Sequence, residues 1–196
     1  MLKKIANKVW KLKMDSNMYF LDLEQKILID TGNRMKQSLL KMLLPKIVSL
    51  DKIDKVIFTH LHYDHIGNAD LFPNACFFAS KQEINDLKEN PELTVLDADI
   101  MAKTKSQLEK LKPMVNMNGL SILNTPGHTK GSICIYYEKE GILFTGDTYF
   151  HGNIETGINL CVGRTDLPTS NDNEIKKSLE KIKKIDAKII CSGHDY

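Results

Sequence analysis

The stretch Thr59-His60-Leu61-His62-Tyr63-Asp64-His65-Ile66-Gly67 follows directly on the apolar run Val56-Ile57-Phe58. It holds three of the chain's six histidines and one aspartate within six consecutive positions. Imidazole and carboxylate groups packed this closely would repel or desolvate one another unless a cation bound them. The stretch therefore predicts a metal site at the carboxyl end of a short buried strand over residues 55–58.

Four other segments place polar side chains after predicted strands or in small-residue turns. They are Thr125-Pro126-Gly127-His128, Thr145-Gly146-Asp147-Thr148, Gly163-Arg164-Thr165-Asp166 and Ser192-Gly193-His194. Taken alone, a histidine in a Pro-Gly turn is ordinarily a surface residue, and Gly-Asp is ordinarily only a turn. Together with the first stretch, these segments offer five histidines and two aspartates, which are too many donors for one tetrahedral ion. Two ions that share a carboxylate would use them, and the lack of thiolate donors favours zinc, iron, manganese or cobalt.

The bulk composition is that of a globular protein. A length of 196 residues predicts a single domain over 1–196, and 42% hydrophobic with 27% charged residues is ordinary for such a domain. A net charge of +2 gives no sign of a surface for nucleic acid or membrane. Four scattered cysteines without a C-x-x-C pair, and the lack of a signal peptide or membrane-spanning run, lead us to expect a cytoplasmic location.

Arginine is scarce in this lysine-rich chain, since it occurs only at Arg34 and Arg164. A planar guanidinium binds a carboxylate or a phosphate through two hydrogen bonds, which lysine does poorly. Arg164 is therefore a candidate for binding an anionic group of a substrate.

Hydrophobic periodicity predicts strands and helices that are mixed without strict βαβ alternation. Strands are predicted over residues 9–14, 18–23, 26–30, 55–58, 75–79, 121–123, 133–138, 142–145 and 188–191. Helices are predicted over 34–44, ending at Pro45, and over 65–71, 80–89, 100–111 and 171–184. Ser80 and Glu83, three residues apart, form a capping-box signature at the start of the third helix.

In combination, these motifs resemble those of the metallo-β-lactamase-fold hydrolases, and in particular the small single-domain members of the glyoxalase II (hydroxyacylglutathione hydrolase) branch. The resemblance extends from Asn17-Met18-Tyr19-Phe20 and Ile29-Asp30-Thr31-Gly32 to Ser192-Gly193-His194, which is nearly the whole chain. It implies an α+β fold in which two mixed β-sheets, flanked by helices, form an αββα sandwich.

The resemblance also implies a set of metal ligands. His60, His62 and His128 would hold one ion, Asp64, His65 and His194 would hold a second, and Asp147 would bridge the two. The implied cofactors are two divalent metal ions, zinc in the first instance, with iron or manganese as alternatives. Asp30 matches an acid that orients the ligands rather than binding metal itself.

A further match lies in Gly163-Arg164-Thr165-Asp166-Leu167-Pro168, which resembles the family's substrate loop. In related thioesterases a basic residue of this loop meets a carboxylate of the substrate, so that Arg164 is expected to act as a substrate clamp. Asp64 and Asp147 complete the predicted catalytic set. Tyr149 and Phe150 are expected to line the pocket, and residues 151–160 read as an insertion that would reshape it.

The function that follows is that of a metal-dependent hydrolase, a thioesterase in which a metal-bridging hydroxide attacks the acyl carbonyl of a small-molecule substrate. Four alternatives stay open: a phosphodiesterase or nuclease, a lactonase or β-lactamase-like hydrolase, a mononuclear-iron persulfide dioxygenase, and a non-enzymatic site that stabilises the fold. The near-neutral charge disfavours the nuclease, and we expect neither nucleic acid nor a membrane as partner.

Overall fold

The computed structural model describes residues 1–117, 119–150 and 162–195, so the predicted insertion at 151–160 lies outside the described residues. The chain divides into two compact units, Met1–Met114 and Val115–Tyr196. Each unit is built on its own β-sheet. No helix of the described ranges is long and apolar enough to cross a membrane.

The first unit contains a seven-stranded sheet in the order β1-β2-β3-β4-β5-β6-β7. Its strands are β1 (Leu2–Ala6), β2 (Val9–Leu12), β3 (Met18–Asp22), β4 (Lys26–Ile29), β5 (Lys55–Ile57), β6 (Cys76–Ala79) and β7 (Lys112–Pro113). Neighbouring strands pair antiparallel from β1 to β4 and parallel from β4 to β7, which makes the sheet mixed.

Five α-helices of the first unit accompany this sheet: α1 (Gln37–Leu43), α2 (Tyr63–Ile66), α3 (Lys81–Glu89), α4 (Pro91–Val95) and α5 (Ala98–Leu108). Side-chain caps start two of them, since Ser80 accepts from the Glu83 backbone N–H and Asp97 accepts from that of Ile100. One apolar cluster joins strand residues such as Phe20 with helix residues such as Leu40. The helices therefore bury their apolar faces in the same core as the sheet.

The second unit contains a four-stranded mixed sheet in the order β11-β10-β9-β8. Its strands are β8 (Leu120–Asn124), β9 (Ile133–Tyr137), β10 (Ile142–Gly146) and β11 (Ile189–Ser192), and its described α-helix is α6 (Asp172–Ile182). Ile182 of this helix packs against Cys134 of β9 and Leu143 of β10. The predicted class, α+β with two mixed sheets flanked by helices, is thus confirmed.

Strand direction explains how each unit gathers its polar residues. Because β4, β5 and β6 are parallel, their carboxyl ends lie at one edge of the sheet, where Asp30, Thr59 and Ser80 follow them. In the second unit β8, β10 and β11 run in the same direction. Thr125, Asp147 and His194 therefore follow strands that end on the same edge.

Some predicted boundaries are wrong, and tertiary contacts explain why. The α-helix predicted over 34–44 does end before Pro45, at Leu43, but it starts only at Gln37, after a 3-10 turn, Arg34–Lys36. Pro45 itself lies in the first turn of another 3-10 helix, Leu44–Lys46, where its missing N–H is not needed. The helix predicted over 65–71 instead begins at Tyr63, ends at Ile66 and is followed by a separate 3-10 turn, Ala69–Leu71. The break comes at Gly67, where a Cβ would lie 2.6 Å from the Arg34 backbone nitrogen.

The short elements β1, β7 and α4 were not predicted. The helix predicted over 80–89 is followed directly by α4, which has Pro91 in its first turn, a position to which proline is well suited.

Candidate metal centre

The first unit gathers the donors of the histidine stretch. The ring centroid of His60 lies 4.6 Å from that of His62 and 4.1 Å from that of His65, and all three side chains are buried. The carboxylate of Asp64 is 3.7 Å from Nε2 of His65. The predicted donors of this unit are therefore neighbours in space as well as in sequence.

Asp30 connects this group to the end of β4. Its Oδ2 lies 2.9 Å from Nδ1 of His65 and accepts a hydrogen bond from the Thr59 hydroxyl, while its Oδ1 accepts from the Thr59 backbone N–H. The carboxylate is 2% exposed, and the backbone adopts φ +58°, a left-handed conformation that aspartate tolerates better than most residues. Asp30 thus contacts one of the histidines directly and a second through Thr59.

The hydrogen-bond chain determines which nitrogens of the rings can bind metal. The Thr59 hydroxyl donates its only hydrogen to Asp30, so that Nδ1 of His60, 3.1 Å away, must donate to the lone pair of the Thr59 oxygen. In His65, Nδ1 faces the Asp30 carboxylate, which only accepts. In both rings Nε2 therefore carries the lone pair and is the nitrogen suited to ligation.

The loop that carries Asp30 is itself held by Asn68. The Asn68 side-chain amide donates to the carbonyl oxygens of Thr31, Gly32 and Asn33, at 2.9, 3.1 and 3.2 Å. Asn68 is fully buried, so these contacts fasten the turn after β4 to the segment that follows the histidine stretch.

The second unit brings together its own three predicted ligands. Oδ2 of Asp147 lies 3.5 Å from Nε2 of His128 and 3.4 Å from Nε2 of His194. The ring of Phe150 meets the His194 ring edge-on at a centroid distance of 5.9 Å. Tyr149, by contrast, packs against the apolar cluster of β9, β10 and α6.

The loop of Gly163 and Arg164 is anchored to these ligands through its backbone. Nδ1 of His128 lies 2.9 Å from the Arg164 carbonyl oxygen, which only accepts, so that Nε2 of His128 carries the lone pair. The Gly163 N–H donates to the Asp147 carbonyl. A Cβ on Gly163 would lie 2.3 Å from that carbonyl oxygen and 2.8 Å from Nδ1 of His128, so only glycine permits this approach.

The guanidinium of Arg164 forms a bidentate ion pair with Asp166 on the surface. Its Nε and NH2 donate to the two oxygens of Asp166 at 2.9 and 2.8 Å. This hydrogen bonding lowers the pKa of the Asp166 carboxyl below its usual value. The carbonyl of Arg164 contacts His128, so this residue connects a surface guanidinium with a predicted metal ligand.

The chemistry of the donors fits divalent metal ions. Imidazoles that present Nε2, accompanied by carboxylates, are the ligands of zinc and of non-haem iron sites. Thiol ligation is not indicated at Cys134, because burial raises its pKa to about 11 and keeps the thiol neutral. The described residues of each unit therefore support a site of the predicted type.

Four contributors to this arrangement were not foreseen from the sequence: Thr59, Asn68, Glu83 and the backbone carbonyl of Arg164. Glu83 accepts a hydrogen bond from the Leu61 backbone within the histidine stretch. Its only signal in the sequence is the capping box with Ser80, which explains a helix start and not a contact with another loop.

Comparison with known proteins supplies the family context. The family model for the Metallo-beta-lactamase superfamily matches residues 13–194. The protein named Probable metallo-hydrolase MJ0888, from Methanocaldococcus jannaschii, is 33% identical over 177 residues, which cover 87% of this chain and 81% of that protein. A hydroxyacylglutathione hydrolase from Francisella tularensis subsp. novicida is 29% identical over 150 residues, 74% of this chain but only 50% of that enzyme.

The fold is also found among solved structures. The crystal structure of TTHA1623 in a di-iron-bound form superposes with a TM-score of 0.69 at 22% sequence identity, covering 95% of this chain and 91% of that one. At this identity the likeness shows a shared fold.

Proposed function

The chain belongs to the metallo-beta-lactamase superfamily, and from that premise we propose that it is a metal-dependent hydrolase that cleaves thioesters. The observation that carries the proposal is the hydrogen bonding of the histidines. In His60, His65 and His128 an oxygen atom engages Nδ1, which leaves Nε2 to bind a cation.

The proposal assigns seven side chains to two divalent ions. They are the ones named from the sequence: His60, His62, Asp64, His65, His128, Asp147 and His194. When bound, the two ions would make water acidic enough to yield hydroxide near neutral pH and would polarise an acyl carbonyl. Zinc is our first choice, with iron or manganese as alternatives, and the di-iron form of TTHA1623 shows that this fold can carry iron in that protein.

The chain's own residues prepare the site for this chemistry. Asp30 stabilises the proton on Nδ1 of His65 and, through Thr59, that on Nδ1 of His60, which strengthens the electron donation of both rings. The Arg164 carbonyl does the same for His128. These hydrogen bonds hold the three rings in defined orientations, which favours metal binding.

Two considerations favour a thioester over other acyl compounds. A thiol has a pKa near 8.5, so a thiolate leaves without a proton donor, whereas an alcohol or an amine needs one. The alignment with the hydroxyacylglutathione hydrolase over 150 residues points in the same direction. Since that alignment reaches half of the enzyme's length, the proposal names the thioester bond and leaves the thiol carrier open.

We further propose that Arg164 binds a negative group of the substrate. Its guanidinium is on the surface and is linked by its own backbone to His128. A guanidinium is planar and can bind a carboxylate through two parallel hydrogen bonds, which suits Arg164 to an anionic group of the substrate.

The test is a substrate panel with metal-reconstituted protein. We expect hydrolysis of a carboxylate-bearing thioester to exceed that of a lactone, a β-lactam and a phosphodiester. His62→Ala and Asp147→Asn should reduce turnover by about 10³-fold or more while the protein stays folded, because the first removes an imidazole donor and the second replaces a carboxylate with a neutral amide.

Asp186→Asn is the matched control, since it alters an exposed aspartate of the second unit without touching a ligand. Inactivity of the metal-loaded protein on every thioester, or faster cleavage of the phosphodiester, would overturn the proposal. Sulfite formation from a persulfide in the presence of iron and oxygen would replace it with the dioxygenase alternative.

A further inference from the structure

Glu83 is a buried carboxylate that contacts the histidine stretch from a different element. It lies in the first turn of α3, its side chain is only 1% exposed, and its Oε2 accepts a hydrogen bond of 2.8 Å from the backbone N–H of Leu61. Leu61 is the residue between His60 and His62.

Helix capping alone does not account for this placement. Ser80 accepts from the Glu83 backbone N–H, as a capping box requires, and the glutamate of such a box can act from a solvated surface. A buried carboxylate loses its hydration, a cost that the positive end of the helix and hydrogen bonds must offset. The burial of Glu83 therefore calls for a role beyond the start of α3.

That role is visible in the backbone after β5. The strand ends at Ile57, and the chain is extended at His62, with φ −62° and ψ 148°, before α2 begins. The Leu61 N–H is thus outside the sheet ladder, and Leu61 is fully buried, so a nearby acceptor has to supply its hydrogen bond. Glu83 is that acceptor.

Fixing Leu61 also fixes the two flanking histidines. The Leu61 side chain belongs to the apolar core of the first unit, and the rings of its two sequence neighbours, His60 and His62, lie with their centroids 4.6 Å apart. A shift of the Leu61 backbone would therefore displace both histidines.

We propose that Glu83 is a positioning residue that holds the segment from His60 to His62 in its metal-binding conformation. This inference rests on the proposed metal site, though not on the choice of substrate. Glu83 acts through the Leu61 backbone and binds no metal itself.

The test compares three variants of the full chain. Glu83→Ala removes the acceptor. Glu83→Gln keeps the size of the side chain and one oxygen that can accept from Leu61. Ser80→Ala weakens the start of α3 and leaves the contact with Leu61 in place. Two quantities are measured: zinc affinity, by competition with a chromophoric chelator, and hydrogen exchange of the Leu61 amide in metal-free protein.

In Glu83→Ala we expect zinc affinity to fall by about 10- to 100-fold and the Leu61 amide to exchange at least about tenfold faster. Glu83→Gln should stay within about threefold of the unchanged protein in both respects. Ser80→Ala should lower the melting temperature but leave zinc affinity within about threefold.

Equal losses of zinc affinity in Ser80→Ala and Glu83→Ala would assign the effect to α3 stability and overturn the inference. Unchanged exchange at Leu61 in Glu83→Ala would overturn it as well. If the protein binds zinc yet hydrolyses no thioester, the proposed reaction fails while both of these measurements still decide the role of Glu83.

Discussion

At the scale of single residues, Asp30 is the side chain on which the arrangement of the first unit depends most. It accepts from the Thr59 backbone and hydroxyl and faces Nδ1 of His65. Asp30→Ala would leave these buried donors without their acceptor, at about 1–3 kcal/mol each, and would place alanine at φ +58°. We expect a loss of roughly 3 kcal/mol or more in the free energy of unfolding, measured by urea denaturation of metal-free protein.

The Asp30→Asn variant distinguishes the effect of Asp30 on the predicted metal ligands from its effect on the stability of the fold. Asparagine tolerates the left-handed backbone and keeps one accepting oxygen, so the loss of stability should be smaller. Zinc affinity should nevertheless fall by about 10- to 100-fold, because the negative charge on the Nδ1 side of His65 is gone. The control is Asp22→Asn, at an exposed ion pair with Lys26. Zinc binding by Asp30→Asn that equals the control would show that Asp30 is only structural.

Gly163 is the residue that lets its loop reach the ligands of the second unit. A Cβ there would collide with the Asp147 carbonyl and with Nδ1 of His128, so Gly163→Ala should push the loop away and lower metal affinity by about tenfold or more. Gly119→Ala is the comparison, since its Cβ would meet nothing closer than Tyr137 at 3.9 Å. That variant should lose only about 1 kcal/mol of stability, from its positive φ. Equal zinc affinities in the two variants would contradict this role of Gly163.

The Arg164–Asp166 pair makes a prediction about pH. Arg164 lowers the pKa of Asp166, so the pair forms fully above the usual carboxyl value of 3.8 and is lost only as the pH falls through the lower folded value. NMR titration of the Asp166 carboxyl should show a midpoint below 3.8 that rises toward it in Arg164→Ala. A midpoint that does not move would mean that the ion pair does not form in solution.

At the scale of elements, α6 illustrates how a helix start supports a ligand loop. The Asn171 side chain caps α6 by accepting from the backbone N–H groups of Asn173 and Glu174, and the backbone N–H of Asn171 donates to the carbonyl of Gly127, beside His128. Asn171→Ala should cost about 1 kcal/mol of stability in urea denaturation. Asn173→Ala, at an exposed position two residues later, should reduce the free energy of unfolding by less than about half as much. Equal losses in the two variants would argue against the cap.

The sequence predicted elements well where local signals agree with tertiary structure. The helix α3 starts at the Ser80 cap and ends at Glu89 as predicted, and the predicted strands of both sheets are present with ends shifted by a few residues. The helix over 65–71 was wrong because contacts of Gly67 and Asn68 with the turn after β4 redirect the chain. Such contacts join residues more than thirty positions apart, so periodicity does not reveal them.

In the candidate site, too, residues with a local sequence signal could be predicted and those defined by long-range contacts could not. The seven candidate ligands stay predictions, and the sequence indicates them because their side-chain types are unusual at their spacing. Thr59 and the Arg164 carbonyl could not, because a threonine or a backbone oxygen carries no distinguishing signal until a histidine is placed beside it. The spacing of Ser80 and Glu83 indicated a helix cap, and because the cap alone explains this spacing, the contact of Glu83 with Leu61 could not be predicted.

At the scale of the whole molecule, each unit has a mixed sheet, and strands of like direction deliver its polar residues to one edge. The first unit groups four predicted ligands and the second groups three. The fold accounts for the gathering of donors within each unit. We propose that the choice of substrate depends instead on the Arg164 loop.

Titrating metal-stripped protein with zinc while following hydrolysis of a carboxylate-bearing thioester tests whether this chain is the dinuclear metal-dependent thioesterase that we propose. We expect no measurable turnover without metal and a rate that rises to a plateau at about two equivalents of zinc per chain. A folded protein that binds zinc, iron or manganese to saturation and still leaves the thioester intact would contradict it.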